Sequence, residues 1–545
     1  GGRPRSLGAR RPPGIHPPVE APPYARPVGA ATDRTTLDGS VPLDGSVPLD
    51  GSVLLDGSVP LDGLDPDQRA AVTSEAAPLC ILAAAGSGKT RVLTRRIAHR
   101  IATGAADPRH VLALTFTRRA AGELRARLRA LGVPEVTAAT FHAAAWAQLR
   151  RWSEHRGVRP PHLPADLDDL LVQCTRALEE DPQFAATQRW WWQHFFVDEY
   201  QDLNPAQFRL LRAWLGDSVD LTVVGDPHQA VYGWNGADPS LLPRFAEHFP
   251  TAEVVRLDTA YRCPPEVLRV ATAVLPGPAR ARPPGTAPDT RSGRPTVRRY
   301  ATDADEAQGV ARSLRAAHAP GTPWSDLAVL ARTNAQLQVI EAALRQASIP
   351  HRSSFDLWAA PVREALRWLA RLPATVPLRS ALADLDVDPG LDPLRELGPE
   401  YEALDRSPST EGFLAWLRLV VRPGELDTHG DAVTLATFHR AKGLEWPVVF
   451  VVGLEEGLVP VAHAATPAAV AEERRLLYVA LTRARREVHC SWPGERTMGG
   501  RAVRRRPSPW LPAIERACAD GAAGPAVDWR AHLRAGRARL AAIGS

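Results

Sequence analysis

Leu79-Cys80-Ile81-Leu82-Ala83-Ala84-Ala85-Gly86-Ser87-Gly88-Lys89-Thr90 is the stretch that decides the fold. Five apolar residues read as a buried strand, and the helix that follows carries Arg91, Leu93 and Ile97 at helical spacing. Between them lies a glycine turn ending in Lys-Thr. Glycines let backbone N–H groups close on phosphates, and the helix N-terminus adds its dipole. Lys89 reaches the β/γ oxygens and Thr90 offers a hydroxyl to Mg²⁺. The first glycine of the usual Gly-x-x-x-x-Gly-Lys-Thr pattern is Ala83 here, so the strict match fails. The lysine itself carries information. In 545 residues that use arginine almost everywhere, the only lysines are Lys89 and Lys442. A compact ammonium fits a cradle of amides that a planar guanidinium does not. The chain therefore announces a nucleotide site.

Working outward, Val111–Thr115, Phe195–Val197 and Leu221–Gly225 read as further buried parallel strands, each leading into a polar or glycine turn. A second series follows at Leu327–Leu330, Val433–Thr437 and Val448–Val452. Two α/β units place a ligand cleft between them. The strand Phe195-Phe196-Val197 ends in Asp198-Glu199. Adjacent carboxylates there can divide labour, Asp198 holding Mg²⁺ and Glu199 polarising the attacking water. The next strand closes on Gly225-Asp226-Pro227-His228-Gln229, offering Gln229 as a γ-phosphate sensor.

The net charge of +5 suits a polyanionic partner. Five scattered cysteines with no CxxC pair argue against a disulfide frame or zinc site and for a reducing, cytoplasmic setting. No apolar run reaches the roughly 20 residues of a membrane span. The chain opens Gly1-Gly2 and its only methionine is Met498, so the natural start is expected upstream. Residues 1–63 combine a Pro/Arg-rich disordered tail with a hexapeptide repeat starting at Leu37, Leu43, Leu49, Leu55 and Leu61, read as a flexible tether or an expanded-repeat artefact upstream of the folded domain.

These motifs, in this order from Leu64 to about Trp510, resemble the UvrD/Rep/PcrA-type superfamily 1 DNA helicases. The resemblance implies an α/β fold of two RecA-like P-loop NTPase domains, parallel sheets flanked by helices, with small helical insertions. The first domain would take 64–142 and 193–255, around a reduced helical insertion at 143–192. The second would take 256–356 and 431–510, around another at 357–430, leaving 511–545 as a C-terminal tail. By the same resemblance Gln68 in Leu64–Arg69 reads adenine, Tyr261 and Arg91 sandwich it, and Ala85, Gly86, Ser87, Gly88, Lys89 and Thr90 cradle the phosphates. Arg262 touches the γ-phosphate and Glu445, in Ala441-Lys442-Gly443-Leu444-Glu445, contacts the ribose. Arg483, in Tyr478-Val479-Ala480-Leu481-Thr482-Arg483-Ala484, is an arginine finger from the second domain. The catalytic set is then Lys89, Asp198, Glu199, Gln229, Arg262 and Arg483, with ATP and Mg²⁺ as cofactors and Thr90 and Asp198 as metal ligands. Lys442 either senses phosphate or forms a buried ion pair.

The resemblance extends to a DNA track of Phe116, Thr140, His142, Tyr232, Trp234 and His439. Aromatics stack on bases whatever their identity. Trp234 is read as such a platform, whereas Phe116 and Tyr232 suit core or stacking equally. The family's Tyr-Arg-Trp-Arg is Tyr232-Gly233-Trp234-Asn235 here, which removes two phosphate contacts. Trp190-Trp191-Trp192 fits core packing or a docking surface. The implied activity is an ATP-dependent 3′–5′ helicase or translocase on single-stranded DNA and ss/ds junctions, in repair, recombination or replication. The expected state is a monomer or weak self-association, with a repair-protein partner and no membrane. Two rivals remain: a translocase that strips proteins without unwinding alone, and a non-hydrolysing DNA-binding subunit.

Overall fold

Strands buried on both faces carry apolar residues at most positions, and the runs named above become the centres of two sheets. The first contains β1 (Leu79–Ala83), β2 (Val111–Thr115), β3 (Thr137–Thr140), β4 (His194–Val197), β5 (Leu221–Gly225) and β6 (Glu253–Leu257). Their order is β3-β2-β4-β5-β1-β6 and every pairing is parallel. Alternate residues feed opposite faces. Leu79, Ile81, Val111, Ala113 and Phe196 pack beneath the helices Lys89–Ala102 and Arg118–Ala130. Cys80, Leu112, Leu114, Phe195 and Val197 join the core on the other side.

In the computed structural model the described residues are 61–157, 167–277, 293–318, 321–353, 360–373, 376–385, 409–420 and 430–520, with a few positions between 391 and 402. The tail and repeat expected over 1–63 lie outside them except for Leu61–Gly63. No helix among them is long and apolar enough to cross a membrane. All five cysteines are free thiols, four of them buried.

The second sheet runs β13-β12-β11-β8-β10-β9, with β7 also on β12. Its members are β7 (Thr296–Thr302), β8 (Leu327–Ala331), β9 (His351–Ser353), β10 (Val433–Thr437), β11 (Trp446–Val451), β12 (Ala484–Met498) and β13 (Arg501–Arg504). Only β12–β13 is antiparallel. Both lobes thus have the expected sheet architecture.

The boundaries differ in instructive ways. β6 continues the first sheet through Leu257, two residues past the expected limit of 255. The segment 143–192 does not stand apart. Its Leu170, Cys174, Leu178, Phe184 and Trp192 share one core with Phe195 and Trp214, so these helices close one face of the first sheet. Trp190 and Trp191 stay 49% and 43% exposed, while Trp192 is buried. The insertion after β9 has its own small core of Val362, Leu369, Leu378, Phe413 and Leu417. The second lobe does not stop at Trp510: the helix Leu511–Asp520 buries Leu511, Ile514 and Ala517 in that lobe's core.

Arg96 holds the N-terminal helix Pro66–Thr73 onto the first sheet. It is 1% exposed, and its guanidinium donates to the carbonyls of Ala71 (3.0 Å), Ser74 (2.6 Å) and Ala76 (3.0 Å) and to Thr222 Oγ1 (3.0 Å). Arg96→Met should cost about 3 kcal/mol, because it strands these buried acceptors. Urea denaturation measures the loss; an unchanged midpoint would refute the tie.

Candidate active site

The loop after β1 turns through two left-handed glycines, Gly86 (φ +79°) and Gly88 (φ +84°). A Cβ on Gly86 would stand 2.9 Å from Arg262 Cβ, and one on Gly88 would stand 3.1 Å from Gln68 Nε2. Glycine is required there by backbone and by space. The helix Lys89–Ala102 begins without a side-chain cap, leaving its first amides to the loop. Ser87 is fully buried and its Oγ has no hydrogen-bond partner among the described residues. An anion seated on this loop is what such a cradle fits.

The carboxylates at the end of β4 face the loop. Thr90 Oγ1 donates to Asp198 Oδ2 at 3.0 Å, and Lys89 Nζ pairs with Glu199 Oε1 at 3.2 Å. Burial, then the Glu199 charge, pushes Asp198 up. Burial also works to raise Glu199, but Lys89 and Lys442 outweigh it and hold that carboxyl low. Two oxygens, from Thr90 and Asp198, could hold a hard cation that takes its other ligands from phosphate and water. Glu199 itself sits at φ +52°, a strained position for a residue with a side chain. Gln229 is buried and donates to Asp226 Oδ2 at 2.8 Å.

The residues expected to meet adenine converge on one spot. Tyr261 O–H donates to Asp65 Oδ2 at 2.5 Å, while Arg91 Nη2 donates to Gly63 O at 2.9 Å. Gln68 is committed internally: its Nε2 donates to Ser87 O at 2.8 Å and its Oε1 accepts from Asp65 N–H. It joins the Pro66 helix to the phosphate loop.

From the second lobe, Arg262 pairs with Glu445 at 2.8 Å, and Glu445 also receives Arg485. Arg262 Nε is buried with no acceptor among the described residues. Arg483 lies buried against its own lobe, donating to Val479 O, Leu444 O and Thr482 Oγ1. Lys442 answers the question left open above. Its ammonium contacts both oxygens of Asp202 (2.7 and 2.6 Å) and Gln229 O (2.6 Å), with both side chains of the pair under 10% exposed. Two more second-lobe residues hold the same first-lobe loop: Arg475 Nε donates to Ala230 O at 2.6 Å, and Glu472 Oε1 accepts from Gly233 N–H at 3.1 Å. A Cβ on Gly233 would lie 2.6 Å from Glu472 Oε2.

This loop leads to Trp234, which is 66% exposed and meets His439 edge-on at 5.8 Å. Burial, then Arg332, lowers His439 to about 4, so its ring is neutral near pH 7. Tyr232 lies under the Lys442 ammonium, 4.9 Å from its ring centre. Phe116 is half-buried against Phe141, and His142 is half-buried. Thr140 is buried with its Oγ1 accepting from Ala143 N–H. Of the aromatic platforms, only Trp234 offers a broad open face.

The UvrD/REP helicase N-terminal domain pattern matches residues 64–164 and 162–250, and the UvrD-like helicase C-terminal domain pattern matches 255–369 and 394–494. The chain belongs to the UvrD/REP helicase family. This UvrD-like chain is 35% identical to the ATP-dependent DNA helicase UvrD2 of Mycobacterium bovis, over 83% of its own length and 81% of the relative's. It is 26% identical to the ATP-dependent DNA helicase PcrA of Staphylococcus epidermidis, covering 83% and 86%. The same identity relates it to DNA helicase II of Escherichia coli, covering 84% and 88%.

Sequence reasoning missed the partners that join the UvrD-like lobes. Asp202, Glu472 and Arg475 lie a few residues from the Asp198-Glu199 and Tyr478–Ala484 segments, but only the fold places them opposite Lys442, Gly233 and Ala230. Arg332, after β8, went unread; it forms a buried pair with Glu473 at 2.6 Å.

Proposed function

We propose that this chain is an ATP-dependent DNA helicase that translocates on single-stranded DNA from 3′ to 5′ and works at ss/ds junctions in repair, recombination or replication. One observation carries the reading: a single loop joins Gln229, at the phosphate side, to Trp234, at the open aromatic face. The other lobe grips that loop through Lys442, Arg475 and Glu472. ATP lies on the Gly86–Thr90 loop with Lys89 on its terminal phosphates. Mg²⁺, held by Thr90 and Asp198, would neutralise phosphate charge there. Glu199 accepts the proton of the attacking water, Gln229 senses the γ-phosphate, and Arg262 and Arg483 meet the charge on the transferred phosphoryl group. Movement of the loop then changes the grip of Trp234 on a base.

ATP hydrolysis measured with and without single-stranded DNA, with Glu199→Gln as control, tests this. Strong stimulation that is lost in the control is expected; no hydrolysis in either condition would instead indicate a binding subunit. Trp234→Ala should raise the DNA concentration for half-maximal stimulation about tenfold, the loss of one stack worth about 1–3 kcal/mol. Basal hydrolysis stays. An unchanged DNA requirement returns Trp234 to a structural role.

A specific observation favours the narrower reading of a motor that strips proteins without unwinding alone. The 143–192 helices are bound into the first sheet's own core, whereas the described residues of the 357–430 insertion keep a small core of their own. Displacing streptavidin from biotinylated single strands, without opening a 3′-tailed duplex, would select it.

A further inference from the structure

Among the described residues Glu199 has two side-chain donors, and they differ in permanence. Lys89 Nζ reaches it at 3.2 Å, but Lys89 must turn toward phosphate when nucleotide binds. The other donor is Gln201 Nε2, on Glu199 Oε2. Gln201 is 0% exposed. Its Oε1 accepts the buried Asp226 N–H at 3.0 Å. This fixes the amide's orientation: a flipped side chain would set two donors against each other at Asp226 and two acceptors against each other at Glu199. The space is cut to fit, because a Cβ on Gly225 would lie 2.5 Å from Gln201 Oε1. The same Asp226 receives Gln229 Nε2 on its carboxylate. Gln201 therefore links the end of β4 to the end of β5.

We infer that Gln201 is the positioning residue for Glu199, holding its carboxylate in place after Lys89 has left it for the nucleotide. The inference rests on Glu199 being the group that activates water. Gln201 touches neither water nor phosphate; it aims a group that does. The strained left-handed backbone of Glu199 needs such a second fixed point, since displacement of a reacting group by about 1 Å can cost about 10²-fold in rate.

Steady-state ATP hydrolysis at saturating single-stranded DNA reads the effect. Gln201→Glu keeps the shape and the bond to Asp226 N–H but offers Glu199 no donor when ionised. Gln201→Met keeps the volume and removes both bonds. Each should lower kcat about 10²-fold while leaving KM for ATP unchanged, and neither should lower kcat further in a Glu199→Gln background. A merely structural glutamine would instead reduce stability and multiply its effect in that background. Gly225→Ala, which crowds Gln201 without changing its chemistry, should reproduce the kcat-only loss and keeps the test alive if a Gln201 variant does not fold. Undiminished kcat in Gln201→Glu and Gly225→Ala, or additive losses with Glu199→Gln, would overturn the inference. Wild-type hydrolysis in Glu199→Gln alone would remove the reading beneath it, and the inference with it.

Discussion

Arg483→Ala lowers the rate of DNA-stimulated ATP hydrolysis by about 10³–10⁵, the range for a lost arginine finger, while nucleotide still binds. The expectation follows from the state of the guanidinium. It is 1% exposed, and among the described residues it forms no ion pair. Its bonds go to the carbonyls of Val479 and Leu444 and to the Thr482 hydroxyl, at 2.9–3.3 Å. Burial, then the neighbouring Arg262, lowers its pKa to about 10. It remains charged near pH 7, but a buried cation beside another cation is short of negative charge. A developing phosphoryl anion supplies it. The stabilisation then grows along the reaction, which is what raises kcat and not affinity alone. Binding of a fluorescent ADP analogue separates the two effects. Arg483→Ala that hydrolyses normally would leave Arg262 as the one second-lobe arginine assigned to the phosphoryl group and sink the assignment. Arg483→Lys should recover little, because an ammonium lacks the planar fork that the three acceptors now hold in place.

The central strands were legible because burial on both faces leaves runs that are apolar apart from Thr115 and Thr222: Leu79–Ala83, Val111–Thr115 and Leu221–Gly225 read as strands and are strands. Edge strands obey a different rule. β6 exposes Glu253, Val254 and Arg256, and so gave no continuous apolar run. β12 hid for another reason. It carries Arg496 into a buried cluster with Glu455 and Glu306, so a strand interior contains charge that the sequence alone reads as surface. The phosphate loop and the Asp198-Glu199 pair were legible because their chemistry is local to a strand end. Gln68 and Tyr232 were not. Their side chains have partners, Ser87 and Lys442, that only tertiary folding brings near. The same holds for Gln201, two residues past the Asp198-Glu199 pair and read without a role, because its second partner lies 25 residues on.

Lys442→Met should weaken the contact between lobes by about 3–5 kcal/mol, the effect of stranding one partner of a buried ion pair. Burial works against the ammonium, but Asp202, then Glu199, outweigh it and raise its pKa. Three acceptor atoms, both Asp202 oxygens and Gln229 O, converge on Nζ within 2.7 Å. That matches the three donors of an ammonium and no flat guanidinium, which explains why lysine stands here in a chain that otherwise uses arginine. Each lobe has aliphatic core of its own, so the loss falls mainly on the lobe–lobe contact. It should appear as an earlier separate transition in calorimetry and as a smaller ratio of DNA-stimulated to basal hydrolysis. The double variant Lys442→Met/Asp202→Leu divides these effects. Replacing both charges restores most of the stability, yet Gln229 O still lacks its donor. If the loop from Gln229 to Trp234 transmits DNA binding, the stimulation ratio stays low when stability returns. If both recover together, Lys442 is a staple and coupling runs through Arg475 and Glu472 instead.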